Sequence, residues 1–144
     1  MRVSELMHTP VVSCAPTATV REVGVLMAQR HVGSVVIIDQ VGEVAGIVTD
    51  RDIVLRGVAQ GRSGDVQVDT VMTRNVATID PRADVADAAA TMMKRRVRRI
   101  PVVDELGHAH GVVTLDDLVR GVGRQADEVS DVLLSQSSTY ALEG

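Results

Sequence analysis

Apolar positions along this chain follow two different periods. Residues 34–39 hold four consecutive β-branched side chains, Val35, Val36, Ile37 and Ile38. Such a run predicts a strand buried on both faces. Just before it, Val20, Val23, Leu26 and Met27 fall on one stripe at helical spacing, which predicts a helix over 19–30. Thr19 and Glu22 stand at the spacing of a capping box at its start. Upstream, residues 11–14 form a short extended run stopped by Ala15-Pro16. Downstream, Gly42 marks a tight turn, 44–48 reads as the returning strand, and Thr49 opens a second helix to about residue 59.

The same order then recurs. A displacement of 65 residues lays Val3 on Val68, Met7 on Met72, Pro16 on Pro81 and Met27 on Met92 without a gap. It lays Gly42 on Gly107, Gly46 on Gly111, Thr49 on Thr114 and Asp52 on Asp117. The second copy predicts an extended piece at 76–78, a helix at 84–95, strands at 99–104 and 109–113, and a helix at 115–122. The segments 4–7 and 69–72 read as one-turn helices that lead each copy in. Two copies are too few for a solenoid, so the expected fold is α/β: two tandem β-α-β-β-α units packed with pseudo-twofold symmetry. The expected boundaries are 1–60 for the first unit, 61–65 for the linker and 66–122 for the second. Residues 123–144 are expected to hold a C-terminal helix, with Val129, Val132 and Leu133 on one side, and a polar tail.

Composition narrows the chemistry. The 144 residues contain one Tyr and neither Phe nor Trp, so the core must be aliphatic. Stacking platforms for single-stranded nucleic acid are missing, and a net charge of −4 with pI near 5.5 provides no global basic field. Nucleic acid is therefore not the expected partner. The one cysteine, Cys14, excludes an intramolecular disulfide and a cysteine-based zinc site. No apolar run approaches the roughly 20 residues of a membrane helix, and the N-terminus lacks a signal-peptide pattern. A soluble cytoplasmic protein is the expectation. No nucleophile elbow, P-loop or dinucleotide glycine motif occurs, and the four histidines are not spaced as metal ligands. His108 and His110 share one strand face. His8 and Cys14 flank the first extended segment and could meet across a dimer.

The sharpest signal is a duplicated Gly-x-x-Thr-x-x-Asp: Gly46, Thr49, Asp52 and Gly111, Thr114, Asp117. Both copies stand where a strand gives way to a helix. One reading is a capping box, with Thr at the N-cap and Asp three residues on; Thr19/Glu22 and Asp84/Asp87 read as caps of that kind. The other reading uses the same geometry for a ligand, with the carboxylate accepting from both hydroxyls of a ribose and the helix start attracting phosphate. The run Lys94-Arg95-Arg96-Val97-Arg98-Arg99 likewise reads as contacts for a small nucleotide's phosphate, as a solvated helix end, or as a nucleic-acid patch.

Two copies of about 60 residues, each closing on apolar-apolar-Thr-x-x-Asp, resemble a CBS domain pair over residues 1–122. The strand Val97-Arg-Arg-Ile-Pro-Val-Val-Asp104 is similar to the family's second-strand pattern. The resemblance implies a stand-alone regulatory binding module, not an enzyme. It would bind AMP, ADP or ATP in clefts between the units, with S-adenosylmethionine behind them in rank. Carried over by position, Asp52 and Asp117 would hold the ribose, and Thr49 and Thr114 the ribose or phosphate. Val12 and Ala77 would wall the adenine, Arg98 and Arg99 would meet phosphate, and Arg51 is a weaker candidate. No metal or cofactor is implied. The resemblance also implies a homodimer and an effector protein of unknown identity. The alternative from another class is a structural or interaction homodimer that binds no nucleotide.

Overall fold

A computed structural model describes residues 1–123 and 133–135. Its elements are β1 (Ser13–Cys14), α1 (Val20–Arg30), β2 (Ser34–Ile38), β3 (Val44–Thr49), α2 (Asp50–Asp52), α3 (Val85–Arg95), β4 (Arg99–Val103), β5 (Ala109–Thr114) and α4 (Leu115–Val122). Most of the C-terminal helix and polar tail expected at 123–144 lies outside the described residues. Leu133 is described, helical and buried.

Local chemistry explains where the first helices begin and end. The Thr19 hydroxyl accepts from the Glu22 amide, and Glu22 returns the bond to the Thr19 amide, so α1 starts on a reciprocal cap. The α3 start differs from the expected Asp84/Asp87 pair: the Asp84 carboxylate accepts from the Ala86 amide. Both helices end on a left-handed residue, His31 and Arg96, each at φ 54°, whose amide closes the last turn onto Met27 and Met92 respectively.

The chain forms two compact units that cut across the sequence repeat. One unit spans Val11–Val76 with Gly107–Ala109; the other joins Met1–Pro10 to Ala77–Leu106 and to the chain from His110 onward. Each unit therefore takes its lead-in from the other half of the sequence. In the first, β1 runs parallel to β2 and β2 antiparallel to β3, with Val36 opposite Ile47 and Ser34 opposite Thr49. The turn Val68–Thr70 docks here. Val68 donates to Ala18 O at 2.7 Å, and Val68, Val71 and Met72 are buried with Val23, Val35, Ile37 and Val48. In the second unit the turn Val3–Glu5 does the same work. Val3 donates to Ala83 O at 2.8 Å and is buried with Ala88, Met92, Ile100, Val113 and Leu118. The expected 76–78 strand is reduced to a parallel bridge of Ile79 to Val102.

The second helix of the first copy departs from the expected uniform winding. After Asp52 it widens into a π turn, Ile53–Gly57, and then tightens into a 3-10 turn, Val58–Gln60. Its counterpart α4 is regular throughout. Glycine positions account for the difference. Gly121 stands seven residues after Thr114 and its Cα faces the side chain of Leu6; Gly57 stands eight after Thr49 and faces Val71, the residue that the repeat aligns with Leu6. A π turn takes up one extra residue, so it restores the facing that the longer spacing would otherwise lose.

Candidate functional site

Each unit contains one corner built on the duplicated motif, and both corners begin with a glycine. The chain that follows each lead-in turn passes directly over that glycine. His8 exchanges both backbone hydrogen bonds with Val112, at 2.9 and 3.3 Å, and Thr73 exchanges both with Ile47, at 2.8 and 3.1 Å. A Cβ on Gly46 would lie 2.6 Å from the Thr73 carbonyl oxygen, and one on Gly111 would collide with the His8 carbonyl oxygen. Only glycine permits this approach. The pairing sets residues 8 and 73 beside the end of the strand that carries the threonine.

The threonine and aspartate then form a full capping box in both corners. The Asp52 amide donates to Thr49 Oγ1 at 3.0 Å and the Thr49 amide to Asp52 Oδ2 at 2.9 Å. In the other copy the corresponding distances are 3.2 and 2.8 Å. The cap and ligand readings are compatible here, because the box uses only Oδ2 of each carboxylate. The first amide of each helix reaches back to the residue just before the hairpin's first strand: Asp50 N donates to Gly33 O, before β2, and Leu115 N to Arg98 O at 2.7 Å, before β4. Arg98 is thereby tied to the Thr114 corner, and Arg99 follows at the start of β4. Arg98 is exposed and Arg99 half-buried.

The second carboxylate oxygen separates the corners. Asp117, only 5% exposed, has Oδ1 2.7 Å from His8 Nε2 and 3.0 Å from Arg120 Nη2. A carboxylate only accepts, so His8 presents a protonated Nε2. Asp52, 18% exposed, has Arg56 Nε at 3.9 Å from Oδ1 as its ion-pair contact among the described residues. The repeat aligns His8 with Thr73 and Arg120 with Leu55, so neither donor of the Asp117 corner has a counterpart.

Other expected site residues are more dispersed. Arg51 is exposed on the second position of α2, with its amide bonded to Asp50 Oδ1. Val12 is half-buried, accepts from the Val36 amide and packs on the core of the Asp52 unit. Ala77 is half-buried in the Asp117 unit. His110 bonds Asp104 at 2.7 Å. No cluster of three or more metal-ligating side chains occurs among the described residues, and none of their helices is long and apolar enough to cross a membrane. Sequence reasoning missed His8 and Arg120 as parts of the Asp117 corner. The repeat aligns His8 with Thr73, each after a methionine, but nothing local marks His8 as a partner of Asp117.

Comparison with known proteins places this architecture. The CBS domain family matches twice, over residues 3–58 and 68–124. The chain therefore belongs to the CBS domain family, as a tandem pair. It is 35% identical over 136 residues to the CBS domain-containing protein YhcV of Bacillus subtilis, covering 94% of each chain. Among solved structures it is similar to the CBS domain protein PAE2072 of Pyrobaculum aerophilum complexed with AMP. The TM-score is 0.76 at 28% identity, over 87% of this chain and all of that one. It is also similar to the CBS domain pair of protein MJ0100 in complex with 5′-methylthioadenosine and S-adenosyl-L-methionine. There the TM-score is 0.78 at 26% identity, over 88% and 98% of the two chains.

Proposed function

We propose that this chain is a regulatory module that binds an adenosine ligand at its two Thr-x-x-Asp corners and transmits occupancy by a change in conformation. One observation carries the reading: each corner caps its helix with Oδ2 alone, so Oδ1 is the oxygen that meets other donors, His8 and Arg120 at Asp117 and a guanidinium 3.9 Å away at Asp52. Ribose hydroxyls are donors of that kind. The complexes of PAE2072 with AMP and of MJ0100 with adenosyl compounds support adenosine as the common element. Asp52 and Asp117 would take the ribose, with Thr49 and Thr114 beside it. Val12 and Ala77 would contribute to the adenine wall, and Arg98 and Arg99 would meet phosphate, with Arg51 secondary. Binding that favours one conformation shifts its population, and that shift is the signal.

The exposed apolar side chains Val25, Val54, Leu55, Val58 and Met93 support a homodimer as the form that carries the signal. They also favour the second reading, an interaction module without a ligand. Isothermal titration of the full chain with AMP, ADP, ATP and S-adenosylmethionine separates the two. A micromolar to sub-millimolar affinity for one of them, about −5 to −8 kcal/mol, is expected. Heats at the level of dilution for all four at millimolar concentration would leave the interaction reading standing. Arg99→Ala should weaken AMP and spare adenosine; equal losses for both would make that arginine structural.

A further inference from the structure

We infer that His8 is a specificity-determining residue that makes the two adenosine sites unequal, closing the Asp117 corner to ribose while the Asp52 corner stays receptive. The inference rests on the nucleotide reading above and adds which site fills first and why.

The argument is a count of donors at one oxygen. Asp117 Oδ1 already accepts from His8 Nε2 at 2.7 Å and from Arg120 Nη2 at 3.0 Å, while Oδ2 accepts from the Thr114 amide. A ribose hydroxyl reaching Oδ1 must displace one of these donors. The Arg120 bond is local, three residues along the same helix, and its side chain is largely exposed. The His8 bond spans 109 residues and is set by backbone pairing, because the exchange with Val112 fixes where the imidazole starts. At Asp52 none of the described residues competes in this way. Residue 73 is threonine, too short to reproduce the imidazole's reach, and the cation at 3.9 Å lies beyond hydrogen-bonding distance.

His8 is nevertheless suited to opening. Its side chain is 67% exposed, so rotation about χ1 moves the ring into water and leaves the Val112 pairing intact. The Asp117 corner therefore exists in a closed form, with imidazole on carboxylate, and an open form that admits ribose. Apparent affinity falls by the fraction that is open. Arg98 and Arg99 flank this same corner, and a phosphate would offset that loss. The arginines therefore mask the effect for AMP, and a ligand with ribose and no phosphate reveals it.

Adenosine is that probe. Titrated into the full-length chain, it should show two unequal sites, the weaker by about tenfold, a ratio expected if about a tenth of the corners are open. His8→Thr, which copies the residue of the other repeat, should bring the two sites within about threefold by removing that closed form. The reciprocal Thr73→His should weaken the tighter site and leave the weaker one alone. Asp52→Asn should remove the tight site and Asp117→Asn the weak one, which assigns them. Equal sites in the unmodified chain would overturn the inference. So would a ratio that His8→Thr and Thr73→His, both melting as the parent does, leave unchanged. Either result leaves nucleotide binding intact. Absence of binding by adenosine and by AMP in every variant would overturn the nucleotide reading, and the inference with it.

Discussion

The Asp117 and Asp52 corners share one backbone plan and differ in what reaches the carboxylate. Both have a glycine under the chain that follows the lead-in turn, a threonine cap and an aspartate three residues on. Yet Asp117 is buried with two long-range or helical donors on its outer oxygen, whereas Asp52 is more exposed and meets one distant guanidinium. A buried carboxylate that holds three donors is more tightly engaged than one whose outer oxygen has a single cation at 3.9 Å. The two copies share this geometry and differ at two aligned positions, His8 against Thr73 and Arg120 against Leu55.

The largest expected effect tests the shared plan. Gly111→Ala and Gly46→Ala force a methyl against a carbonyl of the chain that follows the lead-in turn. Each should cost about 1–3 kcal/mol, as overpacking does, with Gly111 the worse because its Cβ approaches the backbone more closely. Urea denaturation midpoints measure it, and a neutral Gly111→Ala would break the equivalence of the corners at its root.

The aspartates come next, and here the corners should separate. Asp117→Ala removes a cap and the bonds from His8 and Arg120, whose exposed side chains turn to water, so a loss of about 1–2 kcal/mol is expected. Asp52→Ala removes little beyond the cap, about 0.5–1 kcal/mol. Adenosine affinity should run the opposite way, with Asp52→Ala the more damaging. Parallel changes in melting temperature and affinity for both variants would erase the distinction drawn above.

The smallest effect is a pH dependence confined to one copy. Burial, helped by the charge of Glu22, pushes the Cys14 thiol up to about 11 from an ordinary value near 9.0. The folded chain thus keeps this proton where the unfolded chain has lost it. Stability should be level below pH 9 and decline as pH rises from 9 toward 11. The aligned residue is Ile79, which pairs with Val102 as Cys14 pairs with Ile37 and carries no proton. Cys14→Ala should flatten the alkaline limb of a pH series of melting curves; a limb that persists assigns it elsewhere.

Much of this was legible in the chain. The helical stripe from Val20 to Met27, the β-branched run Val35–Ile38, the turn glycine Gly42 and the repeat that copies them placed the elements, because local propensity and burial agree there. The Thr/Asp spacing announced the corners. The winding of Ile53–Gly57 was not legible, because a π turn answers to a packing partner, Val71, that no local pattern names. The role of His8 was hidden for a similar reason. Its distance to Asp117 is created by a backbone pairing to Val112 across the sequence, and a lone histidine after a methionine carries no mark of that. The exchanged lead-ins escaped too, since a repeat shows which segments are alike, not which of them pack together.

That exchange has a consequence for how such a chain can be divided or built. A polypeptide holding only the first repeat would lack Val68, Val71 and Met72, and so would expose the seam they fill. It would also carry a loose apolar leader, Val3 with Leu6 and Met7, whose proper seat is in the other half. Seam and leader are complementary in kind, so two such half-chains could satisfy each other by trading leaders. The tandem protein has the logic of a swapped dimer whose partners have been joined end to end. Its halves are alike as sequences, yet each compact unit draws on both of them.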